Sequence, residues 1–187
     1  MTMKHWYTSL PFALLLIAGC GTKEKGGDAK ADVMRERIAG MEDSLFTKMN
    51  FDQRGAQGLF DVYKAYVAAF PTDSMAPEYL FRAASVAKVL YDANQSIVLY
   101  DRIIQDYSYW ERLPDVYYMK AFTIDSDLGQ KGEAKRAYEE VINLFPDHAF
   151  AADARVMLEN LDYTDAELIE RFKAKEAERA AEESAKR

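Results

Sequence analysis

The stretch LYDRIIQDY, residues 99–107, occurs in three related versions along the chain, and this repetition decides the fold. The upstream version is DVYKAYVAAFP, residues 61–71, and the downstream version is RAYEEVINLFP, residues 136–146. A period of 37 to 38 residues with helical patterning is typical of a solenoid built from pairs of helices. The positions that recur are Tyr63, Tyr100 and Tyr138; Val67, Ile104 and Ile142; and Phe70, Tyr107 and Phe145.

The composition indicates one folded domain that does not bind nucleic acid. The 187 residues are 49% hydrophobic and 13% aromatic, which is enough apolar material for a core. The formal net charge of −7 and the absence of a long basic run argue against nucleic acid as a partner. The single cysteine excludes an internal disulfide and a cysteine-based zinc site.

The first 20 residues, MTMKHWYTSLPFALLLIAGC, predict an export signal. The apolar run at residues 10–18 is shorter than the roughly 20 residues that a membrane-spanning helix needs. The final IAGC resembles the lipobox of bacterial lipoproteins, which implies removal of residues 1–19 by cleavage after Gly19 and acylation of Cys20. Several acyl chains, at about 0.8 kcal/mol per buried CH₂, would then anchor the protein to a membrane. Ordinary cleavage of a signal peptide, or a short membrane anchor, is the alternative.

The residues that follow Cys20 bear on which membrane would carry the protein. Gly21 is not aspartate, and by resemblance to lipoproteins of Gram-negative bacteria this favours the outer over the inner membrane. In a Gram-positive source the anchor would place the protein on the outside of the plasma membrane. Residues 21–30, GTKEKGGDAK, are polar with three glycines, so residues 20–30 are predicted to be a lipidated cysteine and a flexible tether.

Helical periodicity predicts an all-α repeat domain over residues 31–161. In the second repeat, Leu80, Ala83, Ala84 and Ala87 fall on one helix face, and the two adjacent alanines allow close helix approach. The predicted segments are a first helix from residue 31, a loop at 50–58, helices at 59–70, 77–91 and 95–107, a helix from Pro114, a turn at 129–132, a helix at 133–145, and a capping helix at 150–161.

These residues resemble the tetratricopeptide repeat family. Ala84 and Ser96 occupy the family's small positions, Tyr100 its aromatic position, and Pro146 its closing proline. The third repeat supplies the matching set Ala121, Ala134 and Tyr138. The resemblance implies a right-handed helical-hairpin solenoid of about three repeats. Departures are Leu80 and Tyr117 in place of the usual tryptophan, Ser108 in place of a proline, and repeats three or four residues longer than the usual 34.

The C-terminal residues 162–187 predict a further helix. Thr164 and Glu167 have the spacing of a capping box. Leu168, Ile169 and Phe172 are predicted to dock on the repeats, and the polar remainder is predicted to be a solvated helix.

No group of residues predicts catalysis. His148 is the one histidine after the export signal and is predicted to be a polar loop residue. The segment DSDLG at residues 125–129 lacks the third acidic position and the closing glutamate of a calcium loop. We therefore expect no enzyme activity, no cofactor, no metal and no small-molecule substrate, and an enzyme of unrecognised type is the least favoured alternative.

The predicted function is a membrane-anchored scaffold that binds a protein or peptide segment of the bacterial cell envelope. The first helices of the repeats would form the binding face, with Arg82, Lys88, Lys120 and Asp125 exposed near it, and Trp110 as a further contact. The periodic tyrosines are predicted to be core residues instead.

Two alternatives remain open. One is a self-associating structural component of the envelope, assembled through the C-terminal helix. The other is an outer-membrane assembly factor, because envelope lipoproteins of this repeat type include the lipoprotein of the β-barrel assembly machine. That type usually has about five repeats, whereas three are visible in this sequence.

Overall fold

A computed structural model describes residues 25–47 and 52–186, so the predicted export signal, Gly19 and Cys20 lie outside the described residues. Within these two ranges the chain is all-α, as predicted, and forms eight helices. They are α1 (Lys25–Phe46), α2 (Gln53–Ala69), α3 (Ala76–Leu90), α4 (Ala93–Asp106), α5 (Leu113–Ser126), α6 (Lys131–Leu144), α7 (Ala149–Asn160) and α8 (Asp165–Ala185).

Helices α1 to α7 pack mainly against their neighbours in sequence, and α5 also contacts α7. The connections between them are two to six residues long, and connections of this length join antiparallel helices. The result is a helical array with local contacts, and it is consistent with a helical repeat.

Because successive helices run in opposite directions, the connections between them lie at two opposite edges of the array. The N-terminal edge carries the start of α1 and the connections at 70–75, 107–112 and 145–148. The opposite edge carries the connections at 91–92, 127–130 and 161–164. The start of α1 and residues 69–74 line the same surface cavity, which supports their placement together at the N-terminal edge.

The recurring tyrosines form the core, which confirms that prediction. Tyr63, Tyr100 and Tyr138 are at most 1% exposed. Ala84 is fully buried, and the buried hydroxyl of Ser96 donates a hydrogen bond of 2.6 Å to its carbonyl oxygen. The two positions that the family resemblance singled out as small are therefore in direct contact between α3 and α4.

One other buried hydroxyl has no such contact. Thr123 in α5 is fully buried, and within the described ranges its Oγ1 is the one buried side-chain polar atom without a hydrogen-bond partner. Because a buried polar group without a partner destabilises a fold, Thr123→Val should leave the free energy of unfolding unchanged or raise it by about 1 kcal/mol. Urea unfolding measures this difference.

Ser96→Ala is the matched control for that experiment. This change removes one of the hydrogen bonds that the Ala84 carbonyl accepts, so we expect a loss of about 1 kcal/mol. A larger loss for Thr123→Val than for Ser96→Ala would contradict the assignment.

Helix α1 begins six residues before the predicted start. Residues 25–30, predicted as part of the tether, are helical. Asp28 lies in the first turn, where the helix dipole favours an acidic side chain, and Ala31 is buried in the core. The helical pattern was hidden by two glycines, which weaken a helix without preventing it.

Helix α2 also begins early, at Gln53, so the predicted loop at 50–58 is wrong from that residue onward. The Asp52 side chain caps the helix by accepting a hydrogen bond of 3.0 Å from the Gly55 N–H. Gly58 faces α1, where an added Cβ would lie 3.3 Å from Cε of Met41. This glycine permits close helix packing and does not mark a loop.

The predicted capping box is present at the start of α8. The Thr164 N–H donates to the Glu167 carboxylate at 2.7 Å, and the Glu167 N–H donates to Thr164 Oγ1 at 3.4 Å. The predicted docking is wrong for Ile169 and Phe172, which are 53% and 54% exposed. Beyond Phe172 the helix offers only alanine as apolar surface, which would add little buried area to hold it against α7.

Arg35 connects α1 to the N-terminal edge. Its Nη1 donates to the Tyr66 hydroxyl at 2.6 Å and to the Asp73 carboxylate at 3.0 Å. Asp73 also accepts a hydrogen bond of 2.8 Å from the Met75 N–H. Burial acts to raise the pKa of Asp73, but the Met75 N–H, the Tyr66 hydroxyl and Arg35 together outweigh it and lower the pKa below its ordinary value.

This arrangement predicts a pH-dependent contribution to stability. Asp73→Asn should lower the free energy of unfolding by about 1–2 kcal/mol near pH 7. The wild-type advantage should be complete above about pH 4 and disappear as the pH falls through the lowered pKa of Asp73, because protonation removes the charge that the folded state favours. Urea unfolding of both proteins at several pH values measures the difference, and a pH-independent difference would contradict this role.

Candidate protein-binding groove

A groove of about 770 Å³ lies between α1 and α3. Helix α2 contributes two buried residues beneath it, and Arg112, just before α5, lies at one end. The lining residues are Glu42, Leu45, Phe46, Ala56, Tyr63, Glu78, Phe81, Arg82, Ser85, Val86, Val89 and Arg112. Helices α1 and α3 correspond to the predicted first helices of the first and second repeats, which is where the sequence predicted a binding face.

The apolar part of the groove is formed by the C-terminal ends of α1 and α3. Phe46 is 70% exposed and Val89 is 62% exposed, with Leu45 and Val86 partly buried beside them. Large apolar side chains that stay exposed side by side on a folded protein mark interaction sites. This end of the groove can bury apolar side chains of a partner.

The polar part of the groove is a network of ion pairs centred on Arg82. Its Nε donates to Glu78 at 2.7 Å and its Nη1 donates to Glu42 at 2.7 Å. Arg112 Nη1 donates to the second oxygen of Glu78 at 2.6 Å, and its Nη2 donates to Asp115 at 2.9 Å. The network therefore joins α1, α3 and α5.

Helix α2 joins the same network through Tyr63, whose hydroxyl donates to Glu42 at 2.5 Å. Burial raises the pKa of Tyr63, and the hydrogen bond to the Glu42 carboxylate raises it further, so the hydroxyl keeps its proton. Burial acts to lower the pKa of Arg82, but the hydrogen bonds to Glu42 and Glu78 outweigh it and raise the pKa. The donors of the network thus remain protonated throughout the neutral pH range.

Of the five predicted binding residues, Arg82 lines the groove and the other four do not. Lys88 pairs with Asp127 at 2.5 Å, and Lys120 pairs with Asp101 at 2.6 Å. The carboxylate of Asp125 accepts a hydrogen bond of 3.2 Å from the Tyr138 hydroxyl. The prediction that Lys88, Lys120 and Asp125 are exposed is wrong, because each is partly buried and contacts another helix or a connection.

Trp110, the fifth predicted residue, supports the polar end of the groove from outside. Its ring contacts Phe81 edge-on, with centroids 6.0 Å apart. The guanidinium of Arg112 lies over both rings, 5.4 Å from the Trp110 centroid and 4.9 Å from that of Phe81. Such cation–π contacts fix the position of Arg112 at the end of the groove.

The sequence reasoning missed Phe46, Val89, Glu42 and Glu78. Val89 had a detectable signal, since it is apolar but lies off the face that carries Leu80 and Ala87. An apolar residue on the polar side of an amphipathic helix is a candidate for contact with a partner.

Comparison with known proteins adds no further assignment. No protein-family model matches the chain, and no curated protein matches it closely enough to be called a relative. Among the described residues, no group of three or more histidine, cysteine, aspartate or glutamate side chains could hold a metal ion. None of the helices in that part of the chain is long and apolar enough to cross a membrane.

Proposed function

We propose that this protein is a lipid-anchored scaffold of the tetratricopeptide repeat type that binds another protein in the bacterial cell envelope. The single observation that carries the proposal is the groove between α1 and α3, where Phe46 and Val89 remain exposed beside a fixed network of ion pairs. A groove of about 770 Å³ falls within the range of volumes typical of ligand-binding pockets.

The repeat type is supported by the positions that carry the family resemblance. Ala84 and Ser96 meet in a hydrogen bond, and Tyr100 and Tyr138 lie at equivalent core positions. In this proposal the pairs α1–α2, α3–α4 and α5–α6 are the three repeats of a right-handed solenoid, and α7 is its cap. The anchor is inferred from the lipobox-like sequence that ends at Cys20, with cleavage after Gly19, and the outer membrane is the favoured location.

The proposed partner is an amphipathic segment of an envelope protein. Its apolar side chains would lie against Phe46 and Val89, and its polar groups would face Arg82, Arg112 and the carboxylates paired with them. Amphipathic helices commonly bind other proteins in this way, by placing their apolar face in a hydrophobic groove.

A second function, self-association through α8, is favoured by one observation. Ile169 and Phe172 are both more than half exposed on a helix whose other residues, apart from Leu168 and alanines, are polar. Light scattering on the soluble domain, residues 21–187, tests it. A dimer that becomes monomeric on Ile169→Ser and Phe172→Ser would support self-association, and a monomeric wild type would exclude it.

Co-purification from membranes tests the scaffold. The full-length protein, tagged at its C-terminus, is captured from membranes of its native host in mild detergent, and proteins recovered in near-equal amount are identified. Cys20→Ala is the control for the anchor, and we expect this variant to leave the membrane fraction. Recovery of one stoichiometric envelope protein would support the scaffold, and a β-barrel assembly protein in that role would favour the assembly factor. Recovery of the bait alone would contradict the scaffold.

A further inference from the structure

The chain between the proposed anchor and the folded domain is short. Helix α1 begins at Lys25, so four residues, 21–24, separate it from Cys20. A fully extended residue spans at most about 3.6 Å, and the five steps from Cys20 to Lys25 therefore cover about 18 Å or less. An acylated Cys20 would hold the start of α1 close to the lipid surface. This inference rests on the anchor in the proposed function.

The start of α1 is part of a continuous edge. Residues 27–31 of α1 line one cavity together with residues 69–74. The next connection, at 107–112, is joined to the first turn of α3 by the hydrogen bond between Arg112 and Glu78. The N-terminal edge, as far as the connection at 107–112, is therefore attached to the part of the protein that the anchor would hold near the membrane.

This edge presents an exposed aromatic residue at that connection. Tyr109 is 71% exposed, the highest fraction among the large hydrophobic side chains of the described residues. Its ring lies 6.3 Å from the ring of Tyr107, which is buried, and partly buried Trp110 follows it directly. Tyrosine and tryptophan are enriched where a membrane meets water, because each has an apolar ring and a polar group.

Apart from the contact with Tyr107, Tyr109 contributes little to the described fold and does not belong to the groove. It does not line the groove, and its exposure shows that it contributes little to the core. The neighbouring cation, Arg112, is already paired with Glu78 and Asp115, and Glu111 is an exposed acid. An attraction to anionic lipid would need free lysine or arginine side chains, so this connection is better suited to a zwitterionic surface.

We propose that the connection at 107–112 docks on the lipid–water interface of the membrane that carries the anchor, with Tyr109 inserted at headgroup level. The N-terminal edge then faces the membrane. The apolar end of the groove, at the C-terminal ends of α1 and α3, points away from it and stays accessible to a partner.

Site-directed labelling of the full-length acylated protein tests this orientation. Cys20 is the only cysteine of the chain, and acylation blocks it, so a new cysteine is the single free thiol. Tyr109→Cys and the control Tyr91→Cys, which replaces a half-exposed tyrosine on the opposite edge, are each labelled with an environment-sensitive fluorophore. Both proteins are reconstituted in phosphatidylcholine vesicles and isolated by flotation.

We expect emission from position 109 to shift to the blue and to fall about twofold in vesicles with lipids brominated near the headgroup, while emission from position 91 stays unchanged. Equal emission from position 109 in brominated and plain vesicles would overturn the proposal, as would equal quenching at both positions.

The native protein offers a second measurement. Trp110 is the only tryptophan after Gly19, so it reports on this connection without a label. Quenching of Trp110 by brominated lipid should decrease in Tyr109→Ser and stay at the wild-type level in Tyr91→Ser. Equal quenching in Tyr109→Ser and wild type would overturn the role of Tyr109.

If the protein has no acyl anchor, the flotation step gives a result that differs from a failure of Tyr109 to dock. Protein that does not float with the vesicles lacks the acyl anchor, which would overturn both this orientation and the anchor in the proposed function. Partner binding in the groove is measured separately in detergent and can succeed or fail whatever the vesicles show.

Discussion

Replacing Tyr100 by alanine should lower the free energy of unfolding by about 3–5 kcal/mol, the loss typical of truncating a large buried aromatic side chain. Tyr100 is 1% exposed and packs against Phe81, with ring centroids 5.8 Å apart. The surrounding helices relax only partly into such a cavity. Because a domain is typically stable by about 5–15 kcal/mol, this single change removes a large share of the total. Urea unfolding followed by far-ultraviolet circular dichroism measures it.

Two controls separate burial from other effects at this position. Tyr100→Phe keeps the ring and removes the hydroxyl, so we expect a much smaller loss than for alanine. Tyr109→Ala removes a ring that is largely exposed, and we expect a change within about 0.5 kcal/mol. Similar losses for Tyr100→Ala and Tyr109→Ala would show that the repeating tyrosines are not core residues.

Replacing Val89 by aspartate should weaken partner binding by about 30-fold or more, equivalent to about 2 kcal/mol. The new carboxylate would lie in the apolar end of the groove, beside Phe46, and would lose hydration without gaining a partner when the groove is filled. Val89 is exposed in the unbound protein, so the change should leave helicity and stability near wild type. Isothermal titration with the co-purified partner measures the affinity.

Val98→Asp is the matched control. Val98 lies on α4, is 59% exposed and does not line the groove, so the same substitution there should not change the affinity. Equal weakening by both substitutions would point to a general effect of charge, and no weakening by Val89→Asp would exclude this groove. Reversal of charge at Arg82 is a poorer test, because a carboxylate there would face Glu42 and Glu78 and would alter stability as well.

The sequence predicted the helices and core well, because local periodicity carries that information. The tyrosines that recur at a fixed period predicted where the helices lie, and the capping-box spacing of Thr164 and Glu167 predicted the start of α8. Glycines caused the errors at α1 and α2. Gly58 permits close packing against α1, and this role cannot be told from that of a loop glycine without knowing what lies opposite.

The residues of the groove were harder to predict, because its contacts join distant parts of the chain. Glu42 and Arg82 are 40 residues apart in sequence, and Glu78 and Arg112 are 34 apart. No local pattern indicates such pairs. Lys88 and Lys120 were predicted to be exposed near the binding face, but each has a carboxylate partner on another element of the fold.

The odd number of packed helices has a geometric consequence. Helices α1 to α7 alternate in direction, so α1 begins at one edge of the array and α7 ends at the opposite edge. Helix α8 therefore starts at the edge opposite residue 25. At 1.5 Å per residue the 21 residues of α8 add a rod of about 32 Å. One more packed helix would return the chain to its side of entry. Within the described residues, the odd number of packed helices therefore places the start of α1 and the start of α8 at opposite edges of the array.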